Sequence, residues 1–394
     1  MILEIPKPAL TMYKQTVDFI KSQFPSQDSI QLHEPVFNGN EKNYLIDCVD
    51  STFVSSVGKY VDNFEKQLAA YTGAKYAVAC VNGTAALHMA MITAGVQRND
   101  IVITQPLSFI ATCNAIAYIG ASHLFVDVDK DTMGLSPEKL KTYLTENAVK
   151  KSDGFAYHKS TGQKIAACIP MHTFGHPCRI DELAVICNEY NIALIEDAAE
   201  SIGSYYKNKH TGTFGLLGTF SFNGNKTITC GGGGAIVTNN EALAKRAKYL
   251  TTQAKVPHRW EFVHDEIGYN YRMPNINAAL ACAQLEQLNP FLENKRSLAK
   301  LYSEFFKGTG MQFMEEPSDS KSNYWLCSIL LPDKKTRDEF LQYSNDNGVM
   351  TRPVWRLMNK LVMFKDAICG NLDNAQMLED RLVNIPSSVR MQIK

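Results

Sequence analysis

The sequence predicts an α/β fold: a mixed, mostly parallel seven-stranded sheet with helices on both faces, followed by a smaller α+β domain. Two observations support this prediction. Between residues 76 and 238, short apolar runs alternate with patterns of helical periodicity, as expected of parallel strands joined by crossover helices. Beyond residue 310 the pattern changes to strand, helix and strand. The length of 394 residues suits two or three domains of roughly 100–200 residues each.

An amphipathic helix is predicted within residues 1–30, which we treat as an N-terminal helical extension. Its apolar residues recur at spacings of three and four, and they are Leu10, Tyr13, Val17, Ile20 and Phe24. Pro25 ends the pattern. Because the polar face is not strongly basic, we expect this helix to pack on its own protein or on a partner subunit rather than on a membrane.

A large domain is predicted over residues 31–300, beginning with a helical pattern at Val61–Tyr71. The seven predicted strands are Tyr76–Val81, Ile101–Thr104, Leu124–Val128, Ile165–Ile169, Ala193–Ile195, Thr219–Phe222 and Ala235–Val237. The helical patterns between them are Ala85–Ala94, Ile110–Ile119, Pro137–Leu144 and Asp181–Tyr190. The last two strands lie too close in sequence for a crossover helix, so at least one antiparallel neighbour is expected.

A small C-terminal domain is predicted over residues 301–394. Three helical patterns precede the domain boundary: Glu241–Thr251, Asn275–Leu288 and Phe291–Phe306. Pro290 begins or kinks the last of them. The small domain itself shows a strand, a helix and a strand at Tyr324–Leu331, Thr336–Asn347 and Val349–Trp355.

The composition disfavours two classes of partner. Lys+Arg and Asp+Glu both number 40, so no net charge favours nucleic acid or an anionic membrane. The uncharged span Ile101–Val126 contains too many polar residues for a bilayer helix. The ten cysteines include no C-x-x-C pair, and no secretory signal precedes them. We therefore expect a protein of the cytoplasm with reduced cysteines.

A glycine-rich turn around Lys226 is the first feature that indicates chemistry. Asn223–Thr227 and four consecutive glycines, Gly231–Gly234, separate two apolar strand patterns. Glycine adopts backbone conformations that other residues resist, so the chain can fold closely around a group placed beside Lys226.

Two further features stand at the ends of predicted strands. Val81-Asn-Gly-Thr84 opens a helix, whose N-terminus offers N–H groups and a positive dipole to a phosphate, although Thr84 as a plain N-cap explains the pattern about as well. Asp197 ends a buried strand on the side where α/β sheets bind ligands. Its carboxylate could hold a metal, cap the next helix or pair with a cationic ring nitrogen.

Together, a lysine in a turn, an acid at a strand end and a phosphate seat are what pyridoxal 5′-phosphate requires: an imine partner, a pyridinium partner and an anchor. A metal site is not predicted. His172 and His176 have the H-x-x-x-H spacing of helical zinc ligands, but Gly175 and Pro177 make a poor helix and the accompanying glutamate is missing.

The chain resembles the sugar aminotransferase family of fold-type I pyridoxal-phosphate enzymes from about Leu32 onward. The motifs that show this are Ser55-Ser-Val-Gly58, Asn82-Gly-Thr84, Pro106-Leu-Ser-Phe-Ile-Ala-Thr112, Phe125-Val-Asp-Val-Asp129, Glu196-Asp-Ala-Ala-Glu200, Ser221-Phe-Asn-Gly-Asn-Lys226 and Gly268-Tyr-Asn-Tyr-Arg272. The resemblance implies that Lys226 is the Schiff-base lysine and that Asp197 pairs with the ring nitrogen.

The resemblance also implies the surroundings of the cofactor. They are Gly83, Thr84 and Ser221 at the phosphate, Phe109 stacked on the ring, Ala199 and Glu200 at its other face and phenolic oxygen, and Asn270 reaching the phosphate of the neighbouring subunit. Asn270 therefore implies a homodimer with shared active sites. Many relatives have Gln or His at position 200, so the protonation state of Glu200 is an open question.

For substrates, the resemblance implies L-glutamate and a nucleotide-linked 4-keto-6-deoxy sugar. Leu32-His-Glu-Pro35 and the Asn223–Lys226 turn look most like the aminotransferases of legionaminic acid and bacillosamine synthesis, which make UDP-4-amino-4,6-dideoxy-N-acetylglucosamine. The sugar nucleotide could also be GDP-linked. Candidate substrate contacts are Ser56, His172, Arg352 and Trp355, with ordinary packing as the alternative for Trp355. Two alternatives on the same fold are a sugar dehydratase, in which relatives replace the lysine by histidine, and a non-catalytic sugar-nucleotide sensor.

Overall fold

The computed structural model describes residues 7–25 and 27–390. Its α-helices are α1 (Lys7–Gln23), α2 (Glu41–Asp50), α3 (Lys59–Thr72), α4 (Gly83–Thr93), α5 (Ile110–Ile119), α6 (Pro137–Asn147), α7 (Ile180–Tyr190), α8 (Glu241–Thr251), α9 (Asn275–Glu286), α10 (Leu288–Phe306), α11 (Lys334–Asp346) and α12 (Asp373–Arg381). Short 3₁₀ turns occur at Thr173–Gly175, Met358–Lys360 and Val362–Phe364.

The strands are mostly short. They are β1 (Tyr76–Cys80), β2 (Ile101–Thr104), β3 (Ser122–Phe125), β4 (Ala148–Lys150), β5 (Ala156–His158), β6 (Ile165–Ile169), β7 (Ala193–Asp197), β8 (Tyr205–Tyr206), β9 (Lys209–His210), β10 (Leu217–Ser221), β11 (Gly234–Thr238), β12 (Gln312–Phe313), β13 (Ser320–Lys321), β14 (Cys327–Leu330), β15 (Arg352–Pro353), β16 (Ile368–Cys369) and β17 (Leu382–Ile385).

A large mixed sheet forms the centre of the molecule, with the strand order β1-β11-β10-β7-β6-β2-β3-β16. Strands β10, β7, β6, β2, β3 and β16 run parallel, whereas β11 is antiparallel to both of its neighbours. This confirms the predicted fold class and the antiparallel neighbour. All seven predicted strands are present. The eighth, β16, comes from the C-terminal part of the chain and adds an edge of only two residues.

Helices cover both faces of this sheet because its strands are apolar on both sides. Along β11, Ile236 faces a core shared with α4, α5 and α8. Its neighbours Ala235 and Val237 face the opposite core, formed with α3 and α9. The period-two alternation of a strand thus assigns successive residues to different helical layers.

A second, antiparallel sheet of β12-β14-β17-β15 lies in the C-terminal part, with α1 packed into the same core. Tyr13, Val17 and Ile20 of α1 are buried there together with Tyr302 and Phe340. The prediction that the amphipathic helix packs on its own protein is therefore confirmed. The predicted apolar stripe is too long by one residue, because Leu10 is 40% exposed.

Several elements differ from the sequence-based prediction. Helices α2 and α12 were not predicted, and the predicted strand Val349–Trp355 is reduced to the two residues of β15. The β4–β5 hairpin and the small β13-β8-β9 sheet were not predicted either. Over residues 7–25 and 27–390, no helix is both long enough and apolar enough to cross a membrane.

Candidate active site

The parallel strands β7 and β10 end side by side and define the edge of the candidate site. Thr219 of β10 lies opposite Asp197, the last residue of β7. Two residues later β10 ends at Ser221, which abuts the start of α4. A Cβ atom placed on Gly83 would lie only 2.7 Å from the Ser221 Cβ, so only glycine fits there without displacement. The strand ends and one helix N-terminus therefore converge.

The N-terminus of α4 is built to accept an anion. The Asn82 side chain caps the helix by accepting the Ala85 N–H at 2.8 Å. The N–H groups of the first helical residues have no carbonyl partner one turn earlier and point out of the helix. The backbone of Gly234 runs directly past this turn, since a Cβ there would lie 2.4 Å from the Asn82 carbonyl oxygen. The last glycine of the run thus lets β11 pass beside the phosphate seat.

Lys226 is held in a defined position on this edge. The Lys226 N–H donates to the Asn223 carbonyl at 3.0 Å, which closes the predicted turn. The Lys226 Nζ donates to Glu200 Oε1 at 3.1 Å and lies 3.9 Å from the centroid of the Trp325 ring. Only 11% of the lysine side chain is exposed. The orientation of the amino group is therefore set by contacts within the protein.

Asp197 is a buried carboxylate with hydrogen bonds to both oxygens. Thr112 Oγ1 donates to Oδ2 at 2.6 Å, and the Ala199 N–H donates to Oδ1 at 3.2 Å. Burial raises the pKa of Asp197, while these donors and the charge of Lys226 oppose the rise. A cationic group beside the carboxylate would offset its desolvation. The site is thus suited to a protonated ring nitrogen.

Glu200 is buried beside Lys226. Its Oε1 accepts from Lys226, and its Oε2 accepts the Phe174 N–H at 2.9 Å. Burial raises the pKa of Glu200 to about 7, and the charge of Lys226 limits the rise. Two donors on two oxygens favour the carboxylate, whereas burial favours the acid. Glu200 therefore titrates in the neutral range.

Aromatic side chains form one wall of the site. Phe109 stands at the start of α5 and is 49% exposed. Its ring lies 6.2 Å from that of Trp355, which in turn lies 4.9 Å from Phe174. Because the Phe174 N–H donates to Glu200, this wall is connected to the Lys226 amino group. An exposed ring here is available for stacking.

The structure contradicts the prediction that His172 contacts the substrate. His172 is fully buried. Its Nδ1 accepts the Cys178 N–H at 3.1 Å, and its Nε2 lies 3.0 Å from Glu196 Oε2. Since Nδ1 is an acceptor, Nε2 holds the proton and donates it to Glu196. Both ring nitrogens are used inside the protein, so His172 supports the site from behind.

Three other predicted residues lie on separate parts of the chain, namely Ser56, Arg352 and Asn270. Ser56 is half-buried between α2 and α3. The Arg352 guanidinium donates to Asn345 Oδ1 at 2.9 Å, at the end of α11. Asn270 is exposed, and its backbone pairs with Thr252. Within one chain the structure therefore brings together Lys226 with Glu200, and the start of α4 with the end of β10.

Three residues of the site were not assigned roles from the sequence: Thr112, Glu196 and Trp325. Thr112 was quoted within a motif, and it is the hydroxyl donor to Asp197. Glu196 orders the chain behind Asp197 through four hydrogen bonds. Trp325 comes from a distant strand pattern, so no local spacing could place it beside Lys226. The only available signal was its position at the start of that apolar run.

These features fit pyridoxal 5′-phosphate. The start of α4 offers an anion seat, Asp197 is a buried acid whose desolvation a cationic partner would offset, and Lys226 presents its amino group on the same edge. Asp197 and Lys226 are close enough for the lysine charge to influence the aspartate's ionisation. Phe109 supplies an open aromatic face. The residues that would hold the phosphate, ring nitrogen and aldehyde thus occur on one edge of the sheet.

Comparison with known proteins agrees with this geometry. Residues 36–394 match the model of the DegT/DnrJ/EryC1/StrS aminotransferase family. A GDP-perosamine synthase of Escherichia coli is 37% identical over 358 residues, covering 91% of this chain and 93% of the relative. A GDP-perosamine synthase of Vibrio cholerae is 36% identical, covering 91% and 94%.

A solved structure shows the same fold. The family aminotransferase from Brucella abortus superimposes with a TM-score of 0.79 at 27% sequence identity, covering 88% of this chain and 90% of that one. The predicted cofactor and fold type are confirmed by the family. The chain therefore belongs to the DegT/DnrJ/EryC1/StrS aminotransferase family, whose cofactor is pyridoxal 5′-phosphate.

Proposed function

We propose that this protein transfers the amino group of L-glutamate to carbon 4 of a nucleotide-linked 4-keto-6-deoxy sugar. The observation that supports this most directly is the Lys226 amino group held 3.1 Å from Glu200, on the sheet edge that also presents Asp197 and the α4 N-terminus. Two relatives above 35% identity are named GDP-perosamine synthases. Nine-tenths of this chain aligns with each, so the comparison includes the whole site.

In this proposal the residues of the site divide the work of binding the cofactor and moving a proton. The bound cofactor supplies an aldehyde for imine chemistry and a ring that accepts electrons from the substrate. Lys226 would hold the cofactor through its amino group, and the freed amine would move a proton at the substrate carbon. Asp197 keeps a ring nitrogen protonated. Gly83, Thr84 and Ser221 hold the phosphate, and Phe109, Ala199 and Glu200 border the ring.

The preferred acceptor is UDP-4-keto-6-deoxy-N-acetylglucosamine, which would give UDP-4-amino-4,6-dideoxy-N-acetylglucosamine. The resemblance of the Asn223–Lys226 turn to the legionaminic acid and bacillosamine enzymes supports this choice. The names of the two relatives support a GDP-linked sugar instead. We propose Ser56, Arg352 and Trp355 as contacts to the sugar nucleotide. A cytoplasmic location completes the proposal, and the ten unpaired cysteines favour it.

The central experiment tests amino transfer directly. Purified protein should show visible cofactor absorbance that bleaches when L-glutamate is added. Lys226→Ala should abolish the response, while Lys300→Ala, which changes an exposed lysine, should retain it. The glutamate-treated enzyme is then offered UDP- and GDP-linked 4-keto sugars, and the products are identified by mass spectrometry and NMR. An unchanged response in Lys226→Ala, or a deoxygenated ketone product, would contradict the proposal. Binding without turnover would indicate a sensor.

We also propose a homodimer with shared active sites. Asn270 is exposed in the single chain, and the preceding segment exposes Trp260 (69%), Phe262 (79%) and Ile267 (83%). Large exposed apolar side chains in one segment are typical of an interaction surface. Sedimentation analysis should therefore show a species of about twice the 44.0 kDa chain mass.

Whether the two subunits share their active sites can be tested by combining two defective variants in one dimer. Lys226→Ala and Asn270→Ala subunits are co-expressed with different tags, and the hybrid is purified. If Asn270 acts on the neighbouring subunit, one site of each hybrid contains both native residues and regains the cofactor affinity of the wild type. If Asn270 acts within its own subunit, neither site regains it.

A further inference from the structure

We propose that Trp325 is a positioning residue for Lys226, holding both the lysine side chain and its turn through a single indole. Neither the sequence motifs nor the family comparison assigns this residue a role. The inference rests on the proposed function in one respect, namely that Lys226 is the residue that bonds the cofactor. Trp325 itself acts through its contacts with Lys226 and the lysine turn, and it forms no bond in the reaction.

Two parts of the indole contact the lysine turn. The ring face lies 3.9 Å from the Lys226 Nζ, well within the range of about 6 Å at which an aromatic face attracts a cation. The ring Nε1–H donates to the Asn225 carbonyl at 2.7 Å, on the residue before the lysine. One end of Trp325 thus fixes the amino group and the other fixes the backbone. Because Trp325 is only 4% exposed, water does not weaken either contact.

One asparagine fixes Trp325 relative to Glu200, the other partner of the lysine. Asn323 Oδ1 accepts the Trp325 N–H at 2.8 Å, and Asn323 Nδ2 donates to the Glu200 carbonyl at 2.8 Å. The packing around this asparagine is close, since a Cβ on Gly175 would lie 1.8 Å from Asn323 Oδ1. The carboxylate and the indole that flank the lysine amino group therefore keep a fixed separation.

The backbone of Trp325 is anchored from the other side by a buried lysine. Lys295 is 1% exposed, and its Nζ donates to the Trp325 carbonyl at 3.2 Å. Burial lowers the pKa of Lys295 to about 7. This group donates to backbone carbonyls of Trp325 and Ser387, so its role is to tie the Trp325 segment to the C-terminal chain.

Pre-positioning has a kinetic consequence. A free lysine side chain has many rotamers, and most of them must be given up before the amino group can bond the cofactor. In this protein the contacts with Glu200 and Trp325 restrict these rotamers. Replacing Trp325 by Leu removes both contacts and restores that freedom, so we expect covalent capture of the cofactor by Lys226 to slow by about tenfold. Trp325→Phe retains the ring face but loses the bond to Asn225, and should slow capture less.

The experiment measures capture without turnover. Cofactor-free protein is mixed with pyridoxal 5′-phosphate, the bond to Lys226 is trapped at intervals with borohydride, and the labelled peptide is quantified by mass spectrometry. We expect wild type to be fastest, Trp325→Phe intermediate and Trp325→Leu slowest. A Trp325→Leu rate equal to or above that of wild type would overturn the inference. If wild type itself forms no trapped bond at Lys226, the proposed function fails instead.

A double-mutant comparison separates positioning from general structural support. In a Lys226→Ala background the cofactor binds without a covalent bond, and its affinity is measured by equilibrium dialysis. If Trp325 acts through Lys226, adding Trp325→Leu changes this affinity by less than about twofold. A loss of fivefold or more in that background would show that Trp325 supports the pocket itself, and would overturn the inference.

Discussion

Replacing Glu196 by Gln should strongly destabilise the protein, although the two side chains have nearly the same shape. Glu196 is fully buried and accepts four hydrogen bonds. Its Oε1 accepts the N–H groups of Phe214 at 2.6 Å and Gly215 at 2.7 Å. Its Oε2 accepts from Gly212 N–H at 2.7 Å and His172 Nε2 at 3.0 Å. An acceptor-only carboxylate is the group that satisfies four donors.

The cost follows from the chemistry of the amide. Glutamine presents an NH₂ group in place of one oxygen, so two donors lose their acceptor whichever way the amide is turned. His172 cannot relieve the conflict by changing tautomer, because its Nδ1 already accepts the Cys178 N–H at 3.1 Å. Each buried group left unpaired costs about 1–3 kcal/mol. The free energy of unfolding should therefore fall by about 2–6 kcal/mol.

The assay is urea unfolding at matched protein and cofactor concentrations. Stabilities are compared through the midpoints of variants whose unfolding free energy depends equally on urea concentration. Glu189→Gln is the matched control: Glu189 is exposed on α7, and its substitution should stay within about 0.5 kcal/mol of wild type. A loss below about 1 kcal/mol for Glu196→Gln would refute the reasoning that the carboxylate orders this part of the chain.

Three further predictions concern the site and its supports. Gly83→Ala should weaken cofactor binding at least tenfold in equilibrium dialysis, because the new methyl group would lie 2.7 Å from the Ser221 Cβ; unchanged affinity would argue against the phosphate seat. Burial raises the pKa of Glu200 to about 7, so the folded state holds a proton that the unfolded state has released. The cofactor-free protein should therefore lose stability as pH rises from about 4.5 to 7. Glu200→Gln should remove about 3 kcal/mol of that pH dependence in urea titrations, and a parallel pH profile would contradict this. The pKa of His176 is lowered to about 4 by burial, so stability is lost as pH falls from about 6.5 to 4. His176→Phe, which retains the ring contact with Tyr324, should shift acid unfolding to lower pH, and an unchanged midpoint would contradict it.

Much of the large sheet could be predicted because its signals are local. Apolar runs and helical periodicity identified every strand from β1 to β11 that enters it. Edge strand β16 was not predicted, because two residues give no period and its partner β3 lies more than 240 positions earlier. Helix α2 was also missed. Only Glu41 and Cys48 of this helix are fully buried, so its sequence lacks a clear apolar stripe.

The same difference between local and long-range signals applies to the residues of the candidate site. Lys226 and Asp197 stand out because Lys226 lies in a glycine-rich turn after a strand and Asp197 ends a strand. His172 was misassigned because a histidine at a strand end looks the same in sequence whether it faces solvent or a buried carboxylate. Trp325 could not be assigned at all, since its contact with Lys226 spans almost 100 positions. Sequence patterns identify which elements end at an edge, whereas the rotamer and burial of each side chain depend on the whole fold.

The core that α1 shares with the C-terminal sheet has a consequence for biosynthesis. Tyr13 and Ile20 are synthesised about 280–370 residues before their packing partners Tyr302, Phe340 and Ile385. At 5–20 residues per second, the apolar side of the first helix waits on the order of 15–75 s for its partners. During that time it is a natural target for a chaperone. This core therefore closes only after the strand that contains Ile385 has been synthesised.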